Sequence, residues 1–473
     1  MKLLAASPHS KTCRRPPPHL SALDKKYLWH PFTQMADWEK EEILVIERAE
    51  GVYLMDTEGR RYLDGVSSLW CNVHGHRVPE IDEAVRDQLG KVAHSTFLGL
   101  SNVPAIELAK ELISIAPKGL RRVFYSDSGS EAVEIALKMA YQYWRQKGKK
   151  KKTKFARLTN AYHGDTLGAV SVGGIDLFHR TYSPLLFKTY EVPAPYIYRW
   201  KKEESVRAEI FRKRVREEAL QKMEAVFKKH APQIAALVME PLMQGAAGMI
   251  DQPAGYISRV RKLTRKYDIL LIFDEVATGF GRTGKMFAAD HEGVSPDLLA
   301  LAKGLTGGYL PLAATLTTEE IYQGFRGAYS EFKTFFHGHT YTANPLACRA
   351  ALASLELFQK KKILEKLPEK IDLLKKRLKT FQNLPHVGDI RQVGLMVGIE
   401  LVKDKATQEP YPREEKIGIQ VIQEARKRGL ILRPLGNVIV LMPPLAISAS
   451  ELDELIEGTY NSIEFVTGRQ SLS

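Results

Sequence analysis

The sequence predicts an α/β fold with a large, mainly parallel central sheet and a second, smaller α+β domain. From about Pro79 onward, amphipathic helical segments alternate with short apolar runs, which is the pattern of strand–helix–strand crossover units. The apolar runs are continuous, as in ILLIF, and such strands are typical of parallel sheets with helices on both faces. The chain has 473 residues, 44% of them hydrophobic, and this length allows a large core and two domains.

The segments of the central part fit this pattern one after another. Helices are predicted in AIELAKELISIA, EAVEIALKMAYQYWRQ and ISRVRKLTRKY. Strands that run into loops are predicted in RRVFYSDSG, KFARLTNAYHG, IAALVMEPL, DILLIFDEV and PDLLALAKG. Before this part, ERAEGVYLMDTEGRRYLDGVSS alternates with glycine turns and predicts a small antiparallel meander. After about residue 346 the chain is rich in helix, with VGLMVGIELV and GNVIVLMPPL as later strands.

These changes of pattern predict the domain boundaries. Residues 79–345 form the large domain, and residues 21–78 and 346–473 together form the smaller domain from both chain ends. Residues 1–20, which contain KTCRRPPP, are predicted to be a disordered arm. The three cysteines, Cys13, Cys71 and Cys348, have neither metal nor redox spacing, which favours a reducing compartment. With no signal-peptide pattern and no apolar stretch of about 20 residues, we expect a cytoplasmic protein without a membrane partner.

The net charge of +14 raises the possibility of nucleic-acid binding. The surplus lies in KTCRRPPP, in RQKGKKKKTK and in RKRVREEALQKMEAVFKKH. The third segment mixes basic residues with glutamate at helical spacing, which is typical of a solvated helix face. No nucleic-acid-binding motif accompanies these segments. We therefore expect no nucleic-acid partner, and a non-catalytic, basic nucleic-acid-binding protein stays a distant alternative.

Three chemically distinctive residues or segments follow predicted strands. Lys303 stands between the apolar run DLLALA and a glycine-rich turn, where an ammonium group is rarely buried without a partner. Asp274 ends the run ILLIF, where a carboxylate is costly unless it meets a positive group. The turn SDSGS opens a helix, whose N-terminus can bind an anion. Taken singly, each has a simpler explanation: a lysine whose head reaches water, a carboxylate that caps a turn, and a helix N-cap by Ser128 or Ser130.

Taken together, the three features predict a site for pyridoxal 5′-phosphate. A lysine amine can form a Schiff base with its aldehyde, a carboxylate can pair with its protonated pyridine nitrogen, and a helix N-terminus can hold its phosphate. Tyr162, on the loop after another strand, supplies an aromatic ring to lie against the cofactor. Loss of water around Lys303 would lower its pKa and favour the nucleophilic amine. The catalytic residues predicted are therefore Lys303, Asp274 and Tyr162.

The segment LLIFDEVATGFGRTGKMFAADHEGVSPDLLALAKGLTGG resembles the signature of class III aminotransferases, which have PLP fold type I. The resemblance extends from about residue 29 to residue 444. Further motifs, WHPFTQM, SSLWCNVHGH, HGHTYTANPLAC and LRPLGNVIVLMPP, resemble the branch of the family that aminates 8-amino-7-oxononanoate in biotin synthesis. In that branch the amino donor is S-adenosyl-L-methionine. The resemblance thus implies a PLP-dependent transaminase acting as a homodimer on these two small molecules.

The resemblance also implies a role for each matching position. Lys303 is the Schiff-base lysine and Asp274 is the partner of the pyridine nitrogen. The implied phosphate ligands are Gly129 and Ser130, with His339 and Thr340 reaching across from a second subunit. The implied substrate contacts are Trp70, Tyr162, Gly338 and Arg433, of which Arg433 anchors the carboxylate of the oxononanoate. No metal site is predicted, because His74, His76 and His163 have no metal-ligand spacing.

Two departures from the family pattern bear on which molecule is the amino donor. Phe32 stands where many relatives have tyrosine, and Leu69 precedes Trp70 where some have a tryptophan pair. Both positions are expected to line the substrate pocket, so lysine as donor and another ω-amino acid or diamine aminotransferase stay as alternatives. Three more residues have two explanations each: Arg282 contacts substrate or lies on the surface, Asp165 faces the donor or caps a turn, and Glu240 neighbours the cofactor or is structural.

Overall fold

The computed structural model describes residues 19–200 and 207–470. Residues 1–18 of the predicted arm lie outside the described residues, and a helix begins at residue 19. The described strands, in chain order, are β1 Ile46–Glu50, β2 Tyr53–Asp56, β3 Arg61–Asp64, β4 Leu120–Ser126, β5 Lys154–Leu158, β6 Tyr190–Val192, β7 Ile234–Met239, β8 Met243–Gln244, β9 Ile250–Asp251, β10 Leu270–Asp274, β11 Leu298–Leu301, β12 Ala313–Thr318, β13 Val387–Val393, β14 Met396–Asp404, β15 Glu409–Pro410, β16 Leu430–Ile431, β17 Arg433–Leu435 and β18 Val438–Leu441.

The described α-helices, in chain order, are α1 His19–Tyr27, α2 Met35–Trp38, α3 Ser67–Trp70, α4 Pro79–Leu89, α5 Val103–Ile115, α6 Gly129–Gln146, α7 Leu167–Ser171, α8 Asp176–His179, α9 Ala208–His230, α10 Tyr256–Lys266, α11 Glu319–Gly324, α12 Pro345–Lys360, α13 Ile363–Leu378, α14 Ile417–Lys427 and α15 Ala449–Gln470. Short 3₁₀ helices are Arg180–Leu185, Ile197–Arg199, Ala288–His291, Lys303–Thr306, Tyr329–Glu331, Lys379–Asn383 and Arg413–Glu415. The helices predicted from sequence correspond to α5, α6 and α10, and the predicted strands of the central part to β4, β5, β7, β10 and β11. Within residues 19–200 and 207–470, no helix combines the length and the apolar composition that crossing a membrane requires.

The largest sheet among the described residues has seven strands in the order β4-β12-β11-β10-β7-β5-β6. The pairs from β11 through β6 are all parallel, which confirms the predicted α/β fold. The exception is β12, which is antiparallel to both β11 and β4. Because β12 reverses direction between them, β4 and β11 run the same way, and their carboxyl ends lie at the same edge of the sheet.

Both faces of this sheet are buried, as its continuous apolar strands predict. Side chains alternate along a strand, and in β10 Leu271 and Phe273 belong to the core that also contains residues of α5, α9, α10 and α12. Leu270 and Ile272 belong to a second core on the opposite face, formed with α6. The alternation explains why the strand is apolar at every position up to Asp274.

Of two smaller sheets, the first combines segments from both chain ends, and the second consists of strands from the C-terminal part. The strands β1, β2 and β3 form the predicted antiparallel meander, and β16 adds to β3 in parallel, with Ile431 opposite Asp64. The strands β13, β14, β18 and β17 form an antiparallel sheet, with β15 on β14. These pairings support a small domain made from both chain ends, and its boundaries near residues 79 and 346 stay a prediction.

Candidate active site

The loops after β4, β5, β7, β10 and β11 meet at one edge of the large sheet and enclose a cavity of about 700 Å³. Ligands of parallel α/β sheets bind at this edge. Among the residues at or after the ends of these strands, those that line the cavity include Ser128, Gly129, Ser130, Tyr162, His163, Gly164, Asp165, Glu240, Asp274 and Lys303. Glu275, which follows Asp274, does not line it, and its carboxylate accepts from Ala288 N–H and Ala289 N–H. Trp70 and Cys71 form part of the wall from the loop after β3. Five of the predicted cofactor residues therefore lie together in one place: Gly129, Ser130, Tyr162, Asp274 and Lys303.

Lys303 begins the 3₁₀ helix that follows β11 and points its amine at the cavity wall formed by Trp70. Its backbone φ is 46°, an uncommon left-handed value for a residue other than glycine. The Nζ atom lies 4.9 Å from the centroid of the Trp70 ring. Burial lowers the pKa of the Lys303 amine, while the carboxylates of Asp274 and Glu240 act in the opposite direction. A lowered pKa makes more of the amine available as a nucleophile.

Asp274 is held by two hydrogen bonds at the end of β10. Its Oδ2 lies 2.7 Å from His163 Nδ1, and its Oδ1 accepts from the Val276 main-chain N–H at 3.0 Å. Asp274 is 5% exposed, and His163 is also buried. His163 Nε2 has no hydrogen-bond partner within the described part of the chain. Sequence reasoning considered His163 only as a metal ligand and missed this pairing, for which its place beside Tyr162 after a strand is the available signal.

The N-terminus of α6 opens on the cavity. Ser128 accepts from Glu131 N–H at 3.3 Å, and the Glu131 carboxylate accepts from Ser128 N–H at 3.0 Å, so the two form a capping box. A Cβ at Gly129 would lie 2.6 Å from Val276 Cγ1, and only glycine therefore fits this approach to the end of β10. The cap made by Ser128 is compatible with the predicted phosphate site, because the first turn of a helix has further N–H groups that the cap does not use.

Ser130, in the first turn of α6, is tied to the loop after β5. Its Oγ lies 2.8 Å from Thr166 Oγ1 and accepts from Thr166 N–H at 3.1 Å. A Cβ at Gly164, whose φ is 112°, would lie 2.4 Å from Ser130 Oγ. Glycine at 164 thus permits the loop to cross close to the helix, so that two hydroxyls and a helix N-terminus lie together.

Tyr162 and Glu240 connect neighbouring strand ends. The Tyr162 hydroxyl donates to Asp165 Oδ2 at 2.8 Å, and the Tyr162 N–H donates to Glu240 Oε2 at 3.2 Å. Glu240 Oε1 accepts from Gly245 N–H at 2.8 Å. Burial, assisted by the Asp274 carboxylate, raises the pKa of Glu240 to about 7, although the nearby His163 opposes the shift. Of the two explanations for Asp165, the structure shows a side chain at the cavity that orients the tyrosine hydroxyl.

Arg433 lies in β17 close to Tyr162, partly buried. Burial lowers the pKa of its guanidinium, and the Tyr162 hydroxyl acts against that shift. Within residues 19–200 and 207–470, its guanidinium makes neither an ion pair nor a hydrogen bond. The carboxylate of a ligand could pair with this guanidinium, so Arg433 is suited to its predicted role as the anchor of the oxononanoate carboxylate.

Phe32 and Leu69 are not part of the cavity wall of this chain. They are 59% and 49% exposed, respectively. Phe32 approaches the site through Phe178, with ring centroids 5.3 Å apart, and Phe178 in turn lies 6.1 Å from Tyr162. Phe178 was not identified from the sequence. The expectation that positions 32 and 69 line the pocket is therefore not met in the single chain.

The surface explanation for Arg282 is wrong, and the structure does not place it in contact with the cavity either. The side chain is 1% exposed. Its two terminal nitrogens donate to the main-chain carbonyls of Pro443 and Asn72, each at 2.6 Å. Because both groups are engaged by the backbone, Arg282 is positioned to support the loop that contains Trp70 rather than to bind substrate.

Residues 338–340 do not line the cavity of their own chain, although His339 contacts Asp127, which does. Gly338 and Thr340 are exposed, and His339 Nδ1 lies 3.3 Å from Asp127 Oδ2. The predicted contact of His339 and Thr340 with the phosphate of a second subunit stays a prediction. Their exposure leaves them accessible to a neighbouring chain.

The chain is similar to known aminotransferases over most of its length. Residues 34–462 match the family model described as aminotransferase class III. A protein of Geobacter sulfurreducens named adenosylmethionine-8-amino-7-oxononanoate aminotransferase is 55% identical over 94% of this chain and 97% of its own. The crystal structure of the protein of the same name from Methanocaldococcus jannaschii has a TM-score of 0.89 at 50% identity, covering 94% of this chain and 98% of its own. The ω-transaminase from Pseudomonas jessenii in complex with PMP has a TM-score of 0.90 at 31% identity, covering 95% and 98%.

Proposed function

We propose that this chain, which belongs to the class III aminotransferases, converts 8-amino-7-oxononanoate to 7,8-diaminononanoate in biotin synthesis, with S-adenosyl-L-methionine as amino donor. Family membership makes the chain a PLP-dependent enzyme. Relatives named for this reaction match nearly the whole chain at 55% and 51% identity. The structural observation that supports the substrate is the unpaired guanidinium of Arg433 beside Tyr162, since the oxononanoate carries a carboxylate.

The residues at the cavity fit pyridoxal 5′-phosphate. The Lys303 amine would bond to the aldehyde, the Asp274 carboxylate would pair with the pyridine nitrogen, and the N-terminus of α6 would hold the phosphate. Gly129, where a Cβ would meet Val276, allows this helix N-terminus to lie against the end of β10, beside Asp274. Once bound, the cofactor supplies an electron sink for the carbon that gains or loses the amine.

The chain itself supplies proton handling and orientation. Lys303, whose pKa burial lowers, can accept a proton at Nζ and return it within the cavity. Asp274, fixed by His163 and by a main-chain N–H, keeps a negative charge where a protonated pyridine nitrogen needs it. The Trp70 ring covers one side of the Lys303 amine, and an apolar neighbour in place of water strengthens charge interactions there.

The amino donor is tested by single-turnover mixing. The holoenzyme is mixed separately with S-adenosyl-L-methionine and with lysine, and the cofactor absorbance is followed. We expect S-adenosyl-L-methionine to convert the cofactor to its amine form and lysine to do so far more slowly. Conversion by lysine and none by S-adenosyl-L-methionine would refute the assignment of the donor but not the assignment as an aminotransferase. Conversion by other ω-amines alone would indicate a different class III substrate.

We infer that the active unit is a homodimer in the cytoplasm and that residues 338–340 of one subunit complete the phosphate site of the other. The exposed Gly338 and Thr340 support this, and the free Cys71 and Cys348 suit a reducing compartment. Mixing inactive Lys303→Ala with inactive Thr340→Trp should restore activity, because a heterodimer then has one intact site. Heterodimers that form without activity would contradict shared sites. A colourless protein with salt-sensitive DNA binding would instead support the nucleic-acid alternative.

A further inference from the structure

The wall residue Trp70 ends a left-handed helical turn, Ser67–Trp70. The four φ angles are 52°, 48°, 76° and 71°, and none of the four residues is glycine. L-residues adopt this region as single residues and very rarely in succession, because Cβ approaches the following carbonyl oxygen. Such a turn persists only where surrounding contacts stabilise it.

Asp64, the last residue of β3, makes the contacts that stabilise the turn. Its Oδ1 accepts from Ser68 N–H at 2.9 Å, and its Oδ2 accepts from Ser68 Oγ at 2.7 Å. His76 Nε2 lies 3.2 Å from the same Oδ2. Asn72 accepts from Gly75 N–H with its Oδ1, so its Nδ2 donates to His76 Nδ1 at 3.1 Å. The imidazole proton is therefore on Nε2 and points at Asp64.

The two ends of the turn are held by main-chain carbonyls, which accept hydrogen bonds from Ser67, Trp70 and Arg282. Ser67 Oγ donates to the Met442 carbonyl at 2.5 Å. Trp70 N–H donates to the Val66 carbonyl at 2.7 Å, which is the helical hydrogen bond of the turn itself. Arg282 donates to the Asn72 carbonyl just after the turn. Asp64, which is fully buried, is thus the charged group that engages the middle of the turn, at Ser68.

The left-handed turn decides which side chain enters the site. Leu69 is 49% exposed, whereas Trp70 is 5% exposed and borders the cavity beside Lys303. A Cβ at Gly245 would lie 3.1 Å from the Trp70 ring, so the indole is packed tightly against that loop. Trp70 Nε1 is buried and has no hydrogen-bond partner in the described residues. A change of backbone at Ser68 or Leu69 would rotate the indole out of this place.

We propose that Asp64 is a positioning residue for the site: it stabilises the left-handed turn and thereby fixes the Trp70 indole as the wall that faces Lys303 and the substrate. The proposal extends the proposed function, because it names a residue that determines the shape of the same pocket. It does not depend on which amine or keto acid the enzyme uses.

The first test measures the indole directly in the holoenzyme. Iodide quenching of tryptophan fluorescence is compared between each variant and the same variant with Trp70→Phe, so that the difference reports Trp70 alone. Asp64→Ala should make Trp70 accessible to iodide. Adding Leu69→Gly should restore its protection, because glycine adopts positive φ without the steric cost. If Asp64→Ala does not fold, Asp64→Asn is used instead. It keeps the acceptor for Ser68 N–H but loses the oxygen that accepts from Ser68 Oγ, so it should expose Trp70 to iodide partially, and unchanged protection would count against the proposal.

Asp56→Ala is the matched control. Asp56 is a buried aspartate of the same small sheet, 3% exposed, and bonds Arg60 and Tyr62 away from the turn. It should leave the quenching of Trp70 unchanged, and Leu69→Gly should not rescue any loss of stability that it causes. Protection of Trp70 that persists in Asp64→Ala, or exposure that Leu69→Gly fails to reverse, would overturn the proposal.

The second test uses kinetics. Asp64→Ala should raise KM for the keto acid about tenfold, with a smaller change in kcat. A tenfold change corresponds to about 1.4 kcal/mol, which is within the cost of holding one residue in the left-handed region. The double variant with Trp70→Ala should be no worse than Trp70→Ala alone, because both changes remove the same wall. Losses that multiply would show that Asp64 acts independently of Trp70. If the wild type does not turn over 8-amino-7-oxononanoate, the proposed function fails, but the quenching test still decides the role of Asp64.

Discussion

Replacing Glu240 with glutamine should remove a pH dependence of stability between about pH 4.5 and 7. Burial raises the pKa of this carboxyl from 4.5 to about 7. Between these values the unfolded chain has released the proton and the folded chain still holds it. Because the folded state binds more protons, the free energy of unfolding falls as pH rises through this window. The stabilisation is complete below about pH 4.5 and is lost above about pH 7.

The size of the effect follows from the two pKa values. At about 1.4 kcal/mol per pKa unit, the difference between 4.5 and about 7 corresponds to about 3 kcal/mol. Glutamine keeps one oxygen, which can accept from Gly245 N–H. In place of the second oxygen, which accepts from Tyr162 N–H, it has an NH₂ group that cannot accept. The variant should therefore lose a hydrogen bond at every pH, and its own stability should lack this slope. Its deficit relative to the wild type should accordingly shrink as the pH rises from about 4.5 to about 7.

Urea unfolding of the cofactor-free protein at a series of pH values measures the effect. The cofactor-free form is used because a bound cofactor would add its own charges beside Glu240. Glu83→Gln, at a side chain that is 73% exposed, controls for the loss of one carboxyl group elsewhere. The wild type and Glu83→Gln should share the slope. Parallel curves for the wild type and Glu240→Gln would refute the assignment of the proton to Glu240.

Three further predictions concern the cofactor and the substrate. Lys303→Ala should lose the cofactor absorbance of the wild type and nearly all turnover, and a borohydride-reduced adduct on another lysine of the wild type, detected by mass, would contradict this. Asp274→Asn should keep the fold but reduce turnover about 10- to 100-fold, because a charge-assisted hydrogen bond contributes about 1.5–3 kcal/mol. A turnover rate near that of the wild type would show that Asp274 has no part in the mechanism. Arg433→Lys should raise KM for the keto acid, since lysine cannot make a bidentate contact with a carboxylate, and an unchanged KM would place the anchor elsewhere.

The fold and the centre of the site could be predicted because their signals are local. Continuous apolar strands ending in polar residues identify both the sheet and its functional edge, and Lys303, Asp274 and the Gly129 turn follow directly. The reversal of β12 could not be predicted in this way, because AATLTT has the same composition as a parallel strand and its direction depends on which neighbours it pairs with.

The parts that escaped prediction depend on contacts between distant segments. His163 was considered for metal binding alone, and its pairing with Asp274 becomes visible only when β5 and β10 are placed in one sheet. Arg282 could be taken for a surface residue because its partners are main-chain carbonyls, which no sequence pattern marks. The left-handed turn at Ser67–Trp70 contains no glycine, the residue that normally indicates positive φ.

Because β3 pairs with β16, the turn that ends at Trp70 is expected to fold after the sheet edge around Lys303. The aspartate that stabilises the turn under Trp70 is opposite Ile431, so the final register at Asp64 requires a strand that is synthesised near the end of the chain. Contacts between such distant segments form late, because closing a long loop is entropically unfavourable and local elements form faster. A nascent chain can therefore assemble the sheet edge around Lys303 while the Trp70 wall is still missing. Ribosome-bound chains stalled before residue 430 should accordingly present an open pocket, and truncation from the C-terminal end should damage substrate selection before it damages the lysine centre.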